Sequence, residues 1–238
     1  MAIISGIKIF GSGGGSGTTK FVVPNGMKFA YSAVSDFSNI DFSAVRDWDY
    51  MFYNCANLQE IDASGFNLSE ETTLMRMFAY CSSLSSIITD GLDTSNIEIM
   101  TRLFQGCTSL KNIDLSQWRT SKLKNISYLF SGCSGLTSVD MSGWDLSGAV
   151  TDTGMTYAFQ QCSSLTDLNF DGVTLPKTNI DMRLDSCTAL TVDSLLSVLN
   201  ALPQLEGTSK TCRLGSTNLA KLTDEQKAIA TNKHWALN

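Results

Sequence analysis

Apolar residues return along this chain on a period of 26. Phe52, Cys55, Leu58 and Ile61 are followed by Phe78, Cys81, Leu84 and Ile87, then by Phe104, Cys107, Leu110 and Ile113, then by Phe130, Cys133, Leu136 and Val139. A fifth copy, Phe159, Cys162, Leu165 and Leu168, arrives after 29 residues and so carries a longer loop across 147–154. Self-similarity on this scale marks a repeat architecture, in which one copy cannot bury its apolar face alone and stacking does it. Each copy has three parts. Ahead of the Phe, apolar residues stand at i, i+3 and i+4, as in Met100, Leu103 and Phe104, which predicts a short helical segment. After the Cys, Leu110-Lys-Asn-Ile113-Asp-Leu115 ends in the alternation of a strand. A polar stretch closes the copy around one apolar position, successively Phe66, Leu92, Trp118, Trp144 and Val173. These residues read as lids over the core that keep the repeat phase, with a sugar-stacking platform as the functional alternative.

The ends depart from the period. Residues 1–10 predict a short strand, and Gly11-Ser-Gly-Gly-Gly-Ser-Gly17 is a flexible linker by composition. A phosphate-binding loop is the alternative there, but Lys20 follows Thr18-Thr19 where Gly-Lys-Ser/Thr is needed. Residues 20–43 predict a hairpin turning at Pro24-Asn-Gly26, a cap for the open end of the array. Within it Phe37, Ile40 and Phe42 match Leu58, Ile61 and Ala63 as a first, degenerate repeat. Leu184, Cys187 and Leu190 form a last turn, after which the period is lost. Thr191–Leu202 reads as a capped amphipathic helix, Lys210–Leu214 as a strand, Thr223–Thr231 as a helix opened by a capping box, and Trp235–Leu237 as a closing strand. The expected division is 1–19 arm and linker, 20–190 cap and repeats, 191–238 C-terminal cap.

With 43% hydrophobic and 17% charged residues the chain has material for a core. A net charge of −6 argues against a nucleic-acid partner, whose phosphates need a clustered basic face. No apolar run reaches the roughly 20 residues that span a bilayer, so no membrane insertion is expected. The first ten residues lack a basic region ahead of an apolar stretch, and no secretory signal is read there. Of seven cysteines, Cys55, Cys81, Cys107, Cys133, Cys162 and Cys187 keep the repeat phase. Side chains stacked in parallel about 4.8 Å apart point the same way, which is poor disulfide geometry. They read as a ladder of buried thiols acting as small hydrophobes. The sharper alternative is a metal site, but one Cys per turn with no nearby His is the wrong donor set. No metal and no cofactor are expected.

The phrase Met-Phe-x-x-Cys-x-x-Leu-x-x-Ile-Asp-Leu-Ser-x-Trp over residues 37–190 resembles the BspA-like leucine-rich repeats of bacterial surface proteins and of proteins borne by gut phages. The segments at 21–29 and 222–231 look like the ends of the phage or prophage versions. The resemblance implies an α/β repeat: a right-handed leucine-rich-repeat solenoid with a parallel β-sheet on one face, short helical segments on the other, an N-terminal β cap and a C-terminal α/β cap. It also implies binding rather than catalysis.

The sequence agrees that catalysis has little to work with, since His234 is the only His. The candidate binding residues are those that alternate with inward positions of the strands. They are Glu60 and Asp62, Ile88, Asn112 and Asp114, Ser138 and Asp140, and Asp167 and Asn169, with Asp41 preceding them in the degenerate repeat. Ile88 puts an apolar spot among acids. The plain reading is a solvated sheet face; the functional one is an acidic surface for a cationic protein patch or, through bound cations, a glycan. The expected function is therefore a non-enzymatic recognition module for a surface protein or polysaccharide, outside the cell, on its surface or on a virion, with the oligomeric state left open. The alternatives are a virion assembly component anchored by its N-terminal arm, or a bacterial adhesin.

Overall fold

The computed structural model describes residues 2–3, 20–33, 35–151, 153–178 and 180–238. The linker at 11–17 and most of the 1–10 strand lie outside these residues; Ala2–Ile3 forms β1, parallel to β3 (Met27–Lys28). Each copy of the repeat makes one rung with a three-residue strand: β5 (Glu60–Asp62), β6 (Ser86–Ile88), β7 (Asn112–Asp114), β8 (Ser138–Asp140) and β9 (Asp167–Asn169). Neighbours pair in parallel at the repeat offset, Ile61 with Ile87 and Ile113 with Val139. The Phe rings stack between rungs, with centroids 5.3 Å apart for Phe52–Phe78, 5.7 Å for Phe78–Phe104 and 5.4 Å for Phe104–Phe130. One continuous apolar core runs through the stack.

The segments ahead of the Phe are not helices. In the Phe104 rung the amides of Leu103, Gln105 and Cys107 donate to the carbonyls three residues back, Met100, Arg102 and Phe104, at 3.1–3.2 Å. The intervening amides of Met100, Arg102, Phe104 and Gly106 donate to the next rung, to Asn125, Ser127, Leu129 and Ser131, at 2.8–2.9 Å. The segment is thus a run of overlapping β-turns, with Arg102 (φ 60) and Gly106 (φ 72) in the left-handed conformation that a type II turn requires at its third residue. Corners of successive turns fall at Met100, Leu103, Phe104 and Cys107, which reproduces helical spacing without a helix. The reason is dimensional. Strand pairing sets the rungs about 4.8 Å apart, whereas a helix with its side chains is about 10 Å wide and spends its amides internally.

Two further expectations are corrected. The sheet is not continuous: β5–β6 and β7–β8–β9 are separate. Inward positions after the other strands hold the buried Ala63, Leu115, Met141 and Phe170, but β6 is followed by the half-buried Thr89, and its own Ile87 is only partly covered. Trp144 donates its indole N–H to the Leu115 carbonyl at 2.8 Å, while the Trp118 indole N–H, one rung earlier, is buried without a partner. Nor is there an N-terminal hairpin. Met27 closes a turn on Pro24, but β2 (Phe21–Val22) pairs in parallel with β4 (Ile40–Asp41). Phe29 instead stacks on Phe52 at 6.1 Å, and Ser32 closes a turn on Phe29 as Cys55 does on Phe52. Phe29-Ala-Tyr-Ser32 is the first rung's copy of Phe78-Ala-Tyr-Cys81, hidden in the sequence by Ser in place of Cys.

The cysteines are all free and buried, and they do more than fill space. Each of the six thiols in the repeats reaches the Phe carbonyl of the preceding rung, as Cys55 to Phe29 at 3.1 Å, Cys107 to Phe78 at 3.2 Å, Cys133 to Phe104 at 3.0 Å and Cys187 to Phe159 at 3.3 Å. Burial pushes the Cys133 thiol up to about 12 and that of Cys107 upward too, so both stay protonated donors. Cys107→Ser keeps a donor and should cost about 1 kcal/mol, whereas Cys107→Ala opens a void, strips the Phe78 carbonyl of that donor and should cost about 2 kcal/mol. Urea denaturation of the two variants would contradict this if the serine protein were the weaker.

At the C-terminal end α1 (Val192–Ala201), capped by Thr191, covers the edge of β9. The Ser194 and Ser197 hydroxyls accept from the Leu168 and Phe170 amides at 2.9 and 2.6 Å, standing in for a next strand. β10 (Lys210–Cys212), α2 (Ser216–Leu219), α3 (Asp224–Thr231, with its capping box) and β11 (Trp235–Leu237, parallel to β10) complete the chain.

Candidate functional site

The outward strand positions form the candidate face. Glu60, Asp62, Ile88, Asn112, Asp114 and Asp167 are exposed, and Ser138, Asp140 and Asn169 half-buried. Pairing places Asp62 beside Ile88, Asp114 beside Asp140, and Asp140 beside Asn169, whose amide donates to the Asp140 carboxylate at 3.2 Å.

The acids of this column have a local task. The Asp62 carboxylate accepts from the Ser64 amide at 2.9 Å, Asp114 from Ser116 at 2.9 Å and Asp140 from Ser142 at 2.8 Å, while Asn169 serves Asp171 at 3.0 Å. Each begins an Asx turn that bends the chain out of the strand. The Ser64 hydroxyl and amide hold the Asp62 carboxyl below the usual carboxylate range, and the Ser116 amide and hydroxyl do the same for Asp114. These carboxylates are charged at neutral pH.

The column begins at Asp36 rather than at Asp41. Asp36 accepts from the Ser38 amide at 2.8 Å, and Ile40 closes on Phe37 as Phe66 does on Ala63. Residues 36–42 therefore match 62–68, five positions from the expected register, and Asp41 belongs with Asn67 and Asp93 in a second set of Asx turns. Five residues separate Ser32 from Phe37, where eight separate Cys55 from Ala63. The first rung is thereby shortened in its strand part and leaves β5 uncovered.

That shortening opens a cleft of about 300 Å³ lined by Asp36, Phe37, Glu60, Asp62, Ser86 and Ile88, among others. It gathers three of the expected residues, Glu60, Asp62 and Ile88, and adds Asp36 and Phe37, which the sequence reading missed; the exact 26-residue step from Asp36 to Asp62 was the available signal. Ile88, 49% exposed, gives the cleft an apolar wall among carboxylates. The remaining residues are not part of it. Asp114 borders a recess of about 430 Å³ with Asp93 and Arg119, and Asp167 and Asn169 border another of about 310 Å³ with Asp193 and Ser197. Trp118 and Trp144 are buried, so their rings are not open to a sugar. Among the described residues no group of three or more His, Cys, Asp or Glu is arranged to hold a metal ion, and no helix is long and apolar enough to cross a membrane.

A family model described as "Mycoplasma protein of unknown function, DUF285" matches the chain twice, over residues 25–134 and 72–183. A search of curated proteins finds no match.

Proposed function

The chain belongs to the DUF285 family, and from that premise we propose that it is a right-handed, BspA-like leucine-rich-repeat solenoid serving as a non-enzymatic recognition module. In this reading its sheet face binds a protein or glycan of a cell surface, and the module works outside the cell or on a phage particle. The observation that carries it is the cleft at the shortened first rung. An apolar wall of Ile88 and Phe37 beside the carboxylates of Asp36, Glu60 and Asp62 suits a group with an apolar stem and a cationic head.

The test is a protein and glycan array probed with wild type and with Glu60→Gln/Asp62→Asn/Ile88→Lys. Asn keeps the Asx turn at position 62, so the thermal midpoint should hold within about 2 °C while binding falls about tenfold or more. A wild-type protein that binds nothing, or a triple variant that binds equally well, would remove this face from consideration.

A further inference from the structure

The turn side of the array carries a second surface of different composition. All six tyrosines of the chain lie there: Tyr31, Tyr50, Tyr53, Tyr80, Tyr128 and Tyr157. One column, two residues before each Phe, reads Tyr50, Arg76, Arg102, Tyr128 and Tyr157, and every member has a left-handed backbone with φ between 56 and 61. Bulky side chains are sterically disfavoured there, and glycine or asparagine is the ordinary occupant. Two residues after the Phe the left-handed column reads Asn54, Tyr80, Gly106, Gly132 and Gln161, so glycine or asparagine serves at three of its five rungs. Glycine is thus compatible with these turns, yet at five successive rungs the first column keeps a large planar side chain against backbone preference. Strain retained in this way points to a use for the side chains.

Their arrangement narrows the use. The Arg76 guanidinium lies 5.4 Å from the Tyr50 ring centre and donates to its hydroxyl at 3.1 Å; Arg102 lies 4.5 Å from the Tyr128 ring centre, and Tyr128 and Tyr157 are 5.0 Å apart. Ring faces are therefore occupied within the column, which disfavours sugar stacking. Tyr53 links Tyr31 and Tyr80 edge to face at 5.3 and 5.6 Å, and those two are 55% and 41% exposed. Residues 74–83, 100–109, 126–135 and 155–164 contain no Asp or Glu, and Arg76 and Arg102 are their only charges; the Tyr50 segment carries Asp49, and Arg183, 5.4 Å from the Tyr157 ring centre, is paired with Asp185. Neither Arg76 nor Arg102 enters an ion pair among the described residues, and Arg76 Nε is shielded from solvent without an acceptor. They stand on adjacent rungs and lean apart, one toward Tyr50 and one toward Tyr128. Two cations are too few for nucleic acid, whose affinity comes from many phosphate contacts. Tyrosine and arginine on a rigid scaffold are the residues that anchor protein interfaces.

We propose that this stripe docks an acidic protein segment, with one carboxylate at Arg76, a second at Arg102, and neighbouring apolar side chains against Tyr50, Tyr80 and Tyr128. The surface is separate from the sheet-face cleft and independent of it. The test uses short fluorescent peptides alternating Glu with Leu, the same peptides with Gln for Glu, and heparin as a sulfated glycan, each titrated against the full chain by anisotropy. Wild type should bind the Glu peptide about tenfold more tightly than the Gln peptide, more weakly as salt rises, and Arg76→Gln/Arg102→Gln should abolish that preference. Glu60→Gln/Asp62→Asn/Ile88→Lys should leave it intact, which separates this surface from the cleft. No preference for Glu, indifference to salt, binding unchanged in the arginine variant, or binding of heparin alone would each overturn the proposal. The comparison of peptides and salt on wild type decides the matter even if the double variant does not fold.

Discussion

Gly215→Ala should lower stability by about 3 kcal/mol, read as a drop in the urea midpoint. Two independent effects combine at this position. Gly215 has φ +82, where an added Cβ is strained wherever it points. That Cβ would also stand 2.6 Å from Asp185 Cβ and 2.7 Å from Asp185 Cα, and the second is backbone that no rotamer change can move. Gly215 is where α2 docks on the last turn: buried Asn218 donates to the carbonyls of Leu184 at 2.8 Å and Leu214 at 3.0 Å. Gly207 is the control, with φ +88 and no atom within 4 Å of an added Cβ. Gly207→Ala should cost only about 1 kcal/mol. Equal losses would show that crowding at Asp185 contributes nothing.

Glu71→Gln should flatten the fall of stability with pH and leave the variant about 2 kcal/mol above wild type at pH 8. Bonding across the rungs places Glu71 in a column with Val45, Ile97, Leu123 and Ala149, each closing a turn on the residue three back. An acid thus occupies an apolar position, 6% exposed, with Oε1 unpartnered. Burial first, then the charges of Asp47 and Asp49, push its carboxyl up to about 7 from 4.5. Between those values the folded protein holds a proton that the unfolded chain releases, so this contribution is complete below about pH 4.5 and lost as pH rises through 7. The lowered carboxyls of Asp36, Asp62 and Asp114 act at the acid end instead, losing their contribution as pH falls through their depressed values. Denaturation midpoints at pH 5 and 8 separate the two groups. Parallel declines in wild type and Glu71→Gln would place the titration elsewhere.

The same column shows what was legible and what was not. A period of 26 fixes which residues share a column, so the buried Phe, Cys, Leu and Ile positions follow from counting, as do the strands that carry them. Local bonding does not follow from counting. Corners of tandem turns and one face of a helix share the spacing i, i+3, i+4, and only the width of a helix against the rung spacing separates them. The first rung lies five positions from the phase its sequence suggests, because a shortened strand and a Ser for Cys remove the marks that set it. That offset hid the cleft, which depends on residues the first rung lacks. Ile88, by contrast, was visible as an exception, and the break in the sheet lies beside it.

The alternation of amides on the turn side has a consequence for how such chains change in length. Half of each segment's amides close turns within their own copy, and the other half meet whichever copy lies next. A unit of 26 residues is therefore self-sufficient in its bends and indifferent to its neighbour's identity. Unequal recombination between copies that share this phase can add or remove one whole unit with both surfaces kept in register. Length then becomes an evolutionary variable, adjustable in increments of about 5 Å of reach.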